Sequence, residues 1–119
     1  MAPQVVLVVE DEPLIRLGLV TTLEDEGYRV LEAANASEAM RALDGHPGIS
    51  FVITDVNMPG SMDGVEFAQS ARERDPSLHL IIVSGARNVS DGDLPDRAVF
   101  LSKPYQEATL LRTMVRMST

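Results

Sequence analysis

Four short apolar runs punctuate the chain, at 5–9, 51–54, 80–83 and 98–101. None of them alternates apolar with polar positions. Continuous short runs rich in Val and Ile predict strands covered on both faces, as in a parallel sheet. A fifth segment, 29–33, does alternate and predicts an edge strand. Between these runs the apolar period lengthens to that of a helix. Ile15, Leu19 and Leu23 recur at i, i+4 and i+8 and predict a helix over 13–26. Pro13 suits its first position behind an acidic cap, and Gly27 stops it. A second helix is expected from Ser37 through Leu43, ended by Gly45 and Pro47, and a third from about Gly64 to Arg74, before Pro76. The last is expected over 106–117, with Leu110, Leu111, Met114 and Val115. The interval 87–97 stands where another helix belongs, but Ser90, Gly92 and Pro95 predict a short or irregular one.

Strand and helix therefore alternate five times. The expected fold class is α/β: a (βα)5 three-layer, doubly wound parallel sheet with right-handed crossovers. Its expected strand order is the flavodoxin-like 2-1-3-4-5, with a short or irregular fourth helix. The 119 residues suit one domain, 1–119. Composition then narrows the function. Hydrophobic residues make up 45% and charged residues 24%, as in a soluble globular chain. Eighteen acidic against ten basic residues give a net charge of −8, which argues against direct nucleic-acid binding. No apolar run approaches a membrane span, so no membrane contact is expected. The absence of cysteine rules out disulfides and fits a reducing cytoplasm.

In doubly wound sheets ligands bind at the carboxyl ends of the strands, and there the polar residues of this chain gather. Glu10 and Asp11 end the first strand, Asp55 the third and Ser84 the fourth, and Lys103 follows the fifth. Three carboxylates from two neighbouring strands facing one cleft repel each other unless a hard cation lies among them. Carboxylate oxygens plus water suit Mg²⁺, which keeps a hydrated shell and favours phosphate oxygens. Glu12, beside this cluster, reads as a helix cap instead. His46 and His79 read as surface residues, and Met114 and Met117 as packing.

The segments "EDE" after strand one, "DVNMPG" after strand three, "SG" after strand four and "KP" after strand five, in that order, resemble those of a response-regulator receiver domain of bacterial two-component signalling. The likeness covers essentially the whole chain. It implies that Asp55 is the phosphoacceptor, taking a phosphoryl group from a histidine kinase or histidine phosphotransfer domain. Glu10, Asp11, Asp55 and the backbone carbonyl of Asn57 would hold Mg²⁺ (or Mn²⁺). Lys103 would pair with a phosphoryl oxygen, Ser84 would offer a hydroxyl to another, and Gly85 would leave room for the group. The Lys103–Pro104 bond is a candidate cis peptide, although trans is the default for the bond alone. Ser84 and Phe100 would be the switch pair. A downstream effector would read the face built by the fourth helix, fifth strand and fifth helix.

The resemblance further implies a cytoplasmic protein that catalyses only its own phosphorylation and dephosphorylation. It would be a stand-alone regulator or the C-terminal receiver of a hybrid histidine kinase, with no output domain in 1–119. The segment "MPGSMDG" carries one residue more than the commonest family spacing, and Phe100 stands where a tyrosine would report the state. Small Ala86 implies a phosphoryl group open to water and no unusual retention. Two rivals are weaker. A Mg²⁺-dependent phosphohydrolase of the haloacid-dehalogenase type needs a second Asp where Asn57 stands. A flavodoxin-like cofactor module needs a phosphate-binding loop where "EDEP" would repel phosphate.

Overall fold

The structure is a computed structural model that describes residues 3–57, 63–85 and 94–118. Along the chain lie β1 (Val5–Val9), α1 (Pro13–Asp25), β2 (Arg29–Ala33), α2 (Ala36–Gly45), β3 (Ile49–Asp55), α3 (Gly64–Arg74), β4 (His79–Ser84), β5 (Val99–Ser102) and α4 (Glu107–Met117). Every strand pairing is parallel, and the sheet order is β2-β1-β3-β4-β5, as the sequence predicts.

Successive side chains of a strand point to opposite faces, and here both faces are dry. Val6 and Val8 of β1 join Phe51, Ile53, Ile81 and Val83 beneath Leu23 of α1 and Leu110 and Met114 of α4. Leu7 and Val9 join Val52, Leu80 and Ile82 beneath Ala39 and Leu43 of α2 and Phe67, Ala68 and Ala71 of α3. One strand thus feeds two cores, which is why the central runs are continuously apolar. Fully burying each such side chain contributes about 1.5–3 kcal/mol. Both edges depart from the core pattern: β2 lies at an edge as expected but does not alternate, since Val30 and Leu31 are both half-buried, one against each core, while β5 stays only half-buried over Val99, Phe100 and Leu101.

The caps explain where helices begin. Asn35, rather than Ser37, starts α2, accepting the Glu38 N–H at 2.8 Å while Glu38 accepts that of Ala34. Asp63 and Glu66 form a reciprocal capping box on α3. Gly27, at φ 93°, lets the chain leave α1 in a conformation that costs other residues strain.

Some expectations are corrected. The apolar stripe of α1 does not all face inward. Leu23 is buried, but Ile15 is 51% exposed, because the first turn of α1 stands at the sheet's carboxyl edge beside Lys103, Pro104 and Tyr105. Leu14 and Leu17 are exposed too, at 77% and 59%. His79 is not a surface residue: it opens β4 half-buried, with its ring 4.9 Å from that of Phe51. His46 is exposed. The irregular helix expected over 87–97 falls largely outside the described residues, and its described end, 94–97, is bend and turn. The C-terminal helix, fifth in the sequence reading, is therefore α4. Segment 58–62, where a longer loop is expected, and Ala86 also lie outside the described residues.

Candidate functional site

Parallel pairing brings the ends of β1, β3 and β4 to one edge. There Glu10, Asp55 and Ser84 are all buried, an uncommon state for carboxylates. Asp55 ends β3, and both of its carboxylate oxygens are engaged. Oδ1 accepts the Asn57 N–H at 2.9 Å, and Oδ2 accepts Lys103 Nζ at 2.6 Å. Its main chain is fixed as well: Thr54 Oγ1 donates to the Asp55 carbonyl, and the Val56 N–H donates to Val83.

Glu10 lies across from Asp55, with its Oε1 3.6 Å from Lys103 Nζ. Its Oε2 accepts the Glu12 N–H at 3.0 Å. Glu12 therefore stands at the cap position of α1 but caps with no side-chain bond; its amide serves Glu10 instead. Burial raises the Glu10 pKa, and the charge of Asp55 adds to that, against the opposing pull of the Glu12 N–H and Lys103. The exposed Asp11 side chain is within hydrogen-bonding reach of Glu10. Lys103 has the opposite history. Burial alone would lower its pKa, but the hydrogen bond and charge of Asp55, then Glu10 and Tyr105, hold it above the ordinary value. One ammonium is thus shared by two carboxylates.

Ser84 closes β4, and its carbonyl accepts the Lys103 N–H at 2.9 Å, which ties the lysine's backbone to the same edge. The Lys103–Pro104 peptide is cis. A β-carbon on Gly85 would meet Lys103 Cβ at an ordinary 3.8 Å. Phe100 stands level with Ile82 and packs, half-buried, on the α2–α3 side of the sheet. Asn57 is exposed.

The donor set fits a hard cation. It consists of oxygens alone, with two carboxylates crowded on one lysine and a third adjacent. Among the described residues no three acidic or imidazole side chains form a ready-made cage. Mg²⁺ does not require one, since it keeps several waters and uses one or two carboxylates plus phosphate oxygens.

Three further residues shape the site. Gly64 opens α3 directly against β3. A β-carbon there would stand 2.7 Å from the Asp55 carbonyl carbon and 2.8 Å from Val56 Cα, so only glycine allows this approach. Tyr105 flanks Lys103 with a hydroxyl whose pKa is raised, first by burial. Arg16 of α1 donates from Nη1 to the Glu10 carbonyl at 2.7 Å and from Nε to Glu32 on β2 at 3.1 Å. The turn signal "DG" marks Gly64, but nothing in the sequence links Arg16 to Glu32 before the β1–β2 pairing is known.

Comparison with known proteins agrees with this arrangement. The family model described as the response regulator receiver domain matches residues 6–115. The response regulator receiver protein CpdR of Brucella abortus is 36% identical over 115 residues, which cover 94% of each chain. The sensor kinase CckA of the same organism is 38% identical over 116 residues, which are 94% of this chain but 12% of that protein. Among solved structures, a CheX–CheY–BeF3–Mg²⁺ complex from Borrelia burgdorferi superposes with a TM-score of 0.87 at 28% identity, covering 98% of this chain and 90% of that one.

Proposed function

The chain belongs to the response regulator receiver domain family, and we propose that it is the phosphoacceptor of a bacterial two-component or phosphorelay system, with Asp55 as the acceptor. The observation that carries this reading is the buried Asp55 carboxylate, held at one oxygen by the Asn57 amide and at the other by Lys103. An Asp55 oxygen attacks the phosphorus of a phosphohistidine on a histidine kinase or histidine phosphotransfer domain. The O–P bond forms, the P–N bond breaks, and the imidazole nitrogen keeps the electron pair. Lys103 passes from Asp55 Oδ2 to a phosphoryl oxygen and stays protonated. Glu10, Asp11, Asp55 and the Asn57 carbonyl would hold Mg²⁺ (or Mn²⁺), which when bound neutralises charge on the transferring group. The Mg²⁺ in the Borrelia complex supports that choice. The exposed Leu14, Ile15 and Leu17 offer the donor an apolar surface beside the acceptor.

Phosphorylation replaces the single negative charge of the Asp55 carboxylate with up to about two on the phosphoryl group. Ser84 then turns its hydroxyl to the phosphoryl group, and Phe100 moves inward, reshaping the face around β5 and α4 that an effector reads. The likeness to both CpdR and CckA supports either a stand-alone regulator or a receiver within a hybrid kinase. The protein works in the cytoplasm and modifies only itself, without turning over a substrate. Incubation with acetyl phosphate and Mg²⁺, followed by intact-mass measurement, tests the reading. A single phosphoryl adduct is expected, absent in Asp55→Asn and in EDTA. Sustained turnover of p-nitrophenyl phosphate without an adduct would favour a phosphohydrolase instead.

A further inference from the structure

We infer that Arg16 is a positioning residue for the acidic loop between β1 and α1, clamping the Glu10 carbonyl and thereby setting the affinity of the site for Mg²⁺. This rests on the phosphoacceptor reading above. Besides its ion pair with Lys103, Glu10 is held by three hydrogen bonds. Its N–H donates to Ala33 at 3.0 Å, its carboxylate accepts the Glu12 N–H, and its carbonyl accepts Arg16 Nη1 at 2.7 Å. The first bond belongs to the sheet and the second to the loop itself. The third alone ties the loop to α1 through a side chain. Arg16 is in turn aimed from the other side, because its Nε donates to Glu32 on β2. Each of the two bonds uses a different edge of one rigid guanidinium, so the fork spans from β2 to the loop. With the Glu10 carbonyl fixed, the peptide that follows is fixed, and with it the direction in which Asp11 leaves the chain.

The bland alternative is a surface ion pair. Arg16 and Glu32 are partly exposed, with side chains 21% and 52% accessible, and such pairs contribute little to stability. The short bond to a carbonyl within the carboxylate loop is what sets this pair apart. Charge alone predicts the opposite sign: a cation beside a metal site weakens metal binding, so removing it would tighten the site. Clamping predicts that removal loosens it, and that a lysine, which keeps the charge but lacks the fork, does not restore it.

The test is calorimetric titration with Mg²⁺ of the wild type, Arg16→Gln and Arg16→Lys, at a temperature where circular dichroism shows all three folded. Partners that orient metal ligands typically change affinity by 10–100-fold. Arg16→Gln is expected to raise the Mg²⁺ Kd roughly tenfold, with Arg16→Lys also weakened. Arg16→Lys keeps the question decidable if Arg16→Gln does not fold. A Kd that is unchanged or lower in the variants, beside a wild type that binds, would overturn the clamp alone. A wild type that binds no Mg²⁺ would overturn the phosphoacceptor reading and the clamp together.

Discussion

The two ends of the sheet handle charge in opposite ways. At the carboxyl end, Glu10 and Asp55 face each other and share Lys103, and burial, with repulsion from Asp55 added, pushes up the pKa of Glu10. At the amino end, Arg72 of α3 is matched by backbone oxygens. Its Nη1 donates to Pro76 at 2.8 Å and Leu78 at 2.7 Å, and more weakly to Asp75, while its Nε donates to Asp96 at 3.0 Å. Asp75 accepts both the amide and the hydroxyl of Ser77, and Arg74 pairs with Asp44. The amino end satisfies its charges internally, as a structural joint does. The carboxyl end leaves like charges together, stability forgone at a place that a cation and a phosphoryl group would relieve.

Substitutions can break or sharpen that contrast. The largest effect is expected at Gly64. The atoms a β-carbon would meet are backbone, so β3 and α3 must part. Gly64→Ala is expected to lose about 1–3 kcal/mol in urea denaturation and to slow Asp55 phosphorylation strongly; wild-type values for both would show that the close approach does not set the acceptor. Next comes Arg72→Met at the opposite end, which strands several carbonyls. It is expected to cost about 2 kcal/mol while leaving the phosphorylation rate near wild type. A large loss of phosphorylation without a loss of stability would dissolve the contrast. Glu10→Gln should act in the reverse direction, stabilising the metal-free protein by about 1 kcal/mol while weakening Mg²⁺ binding. A lower Tm in EDTA would contradict it.

Acid titration separates the ends by sign. Because the folded-state pKa of Glu10 lies above its ordinary 4.5, the native state binds that proton more tightly than the unfolded state does. The destabilising contribution of Glu10 is therefore fully present above the folded pKa and relieved as pH falls through it toward 4.5. Asp75, held below its ordinary 3.8 first by the Ser77 hydroxyl and amide, does the reverse. Its stabilising contribution is present above 3.8 and lost as pH falls through the lower folded pKa. Thermal melts in chelator, compared with Glu10→Gln and Asp75→Asn, should show these opposite slopes, the Asp75 effect being smaller for a more exposed group. Parallel slopes would contradict the assignment.

Much of this was legible in the sequence because parallel sheets write their layering plainly. Continuous Val and Ile runs mark strands with two dry faces, and the polar residue that ends each run marks the sheet's carboxyl edge. Glu10, Asp55, Ser84 and Lys103 could be found that way. What stayed hidden depends on geometry between elements. Ile15 fits the helical stripe of α1 but overhangs the sheet, because periodicity reports a face and not where the core ends. Ser37 looks like a helix start, yet Asn35 has the carbonyl oxygen in reach of the Glu38 amide. Arg16 and Glu32 meet only once β2 lies beside β1, and the need for glycine at 64 comes from how closely α3 approaches Asp55.

In the proposed mechanism the crowded carboxyl end makes Asp55 a phosphoryl acceptor. The most direct test is to phosphorylate the protein with a small donor and Mg²⁺, reduce the acyl phosphate with borohydride, and map the product by peptide mass spectrometry. Homoserine at position 55, formed only with the divalent cation present, is the predicted result. Modification at Ser84, at either histidine, or at no residue would contradict it.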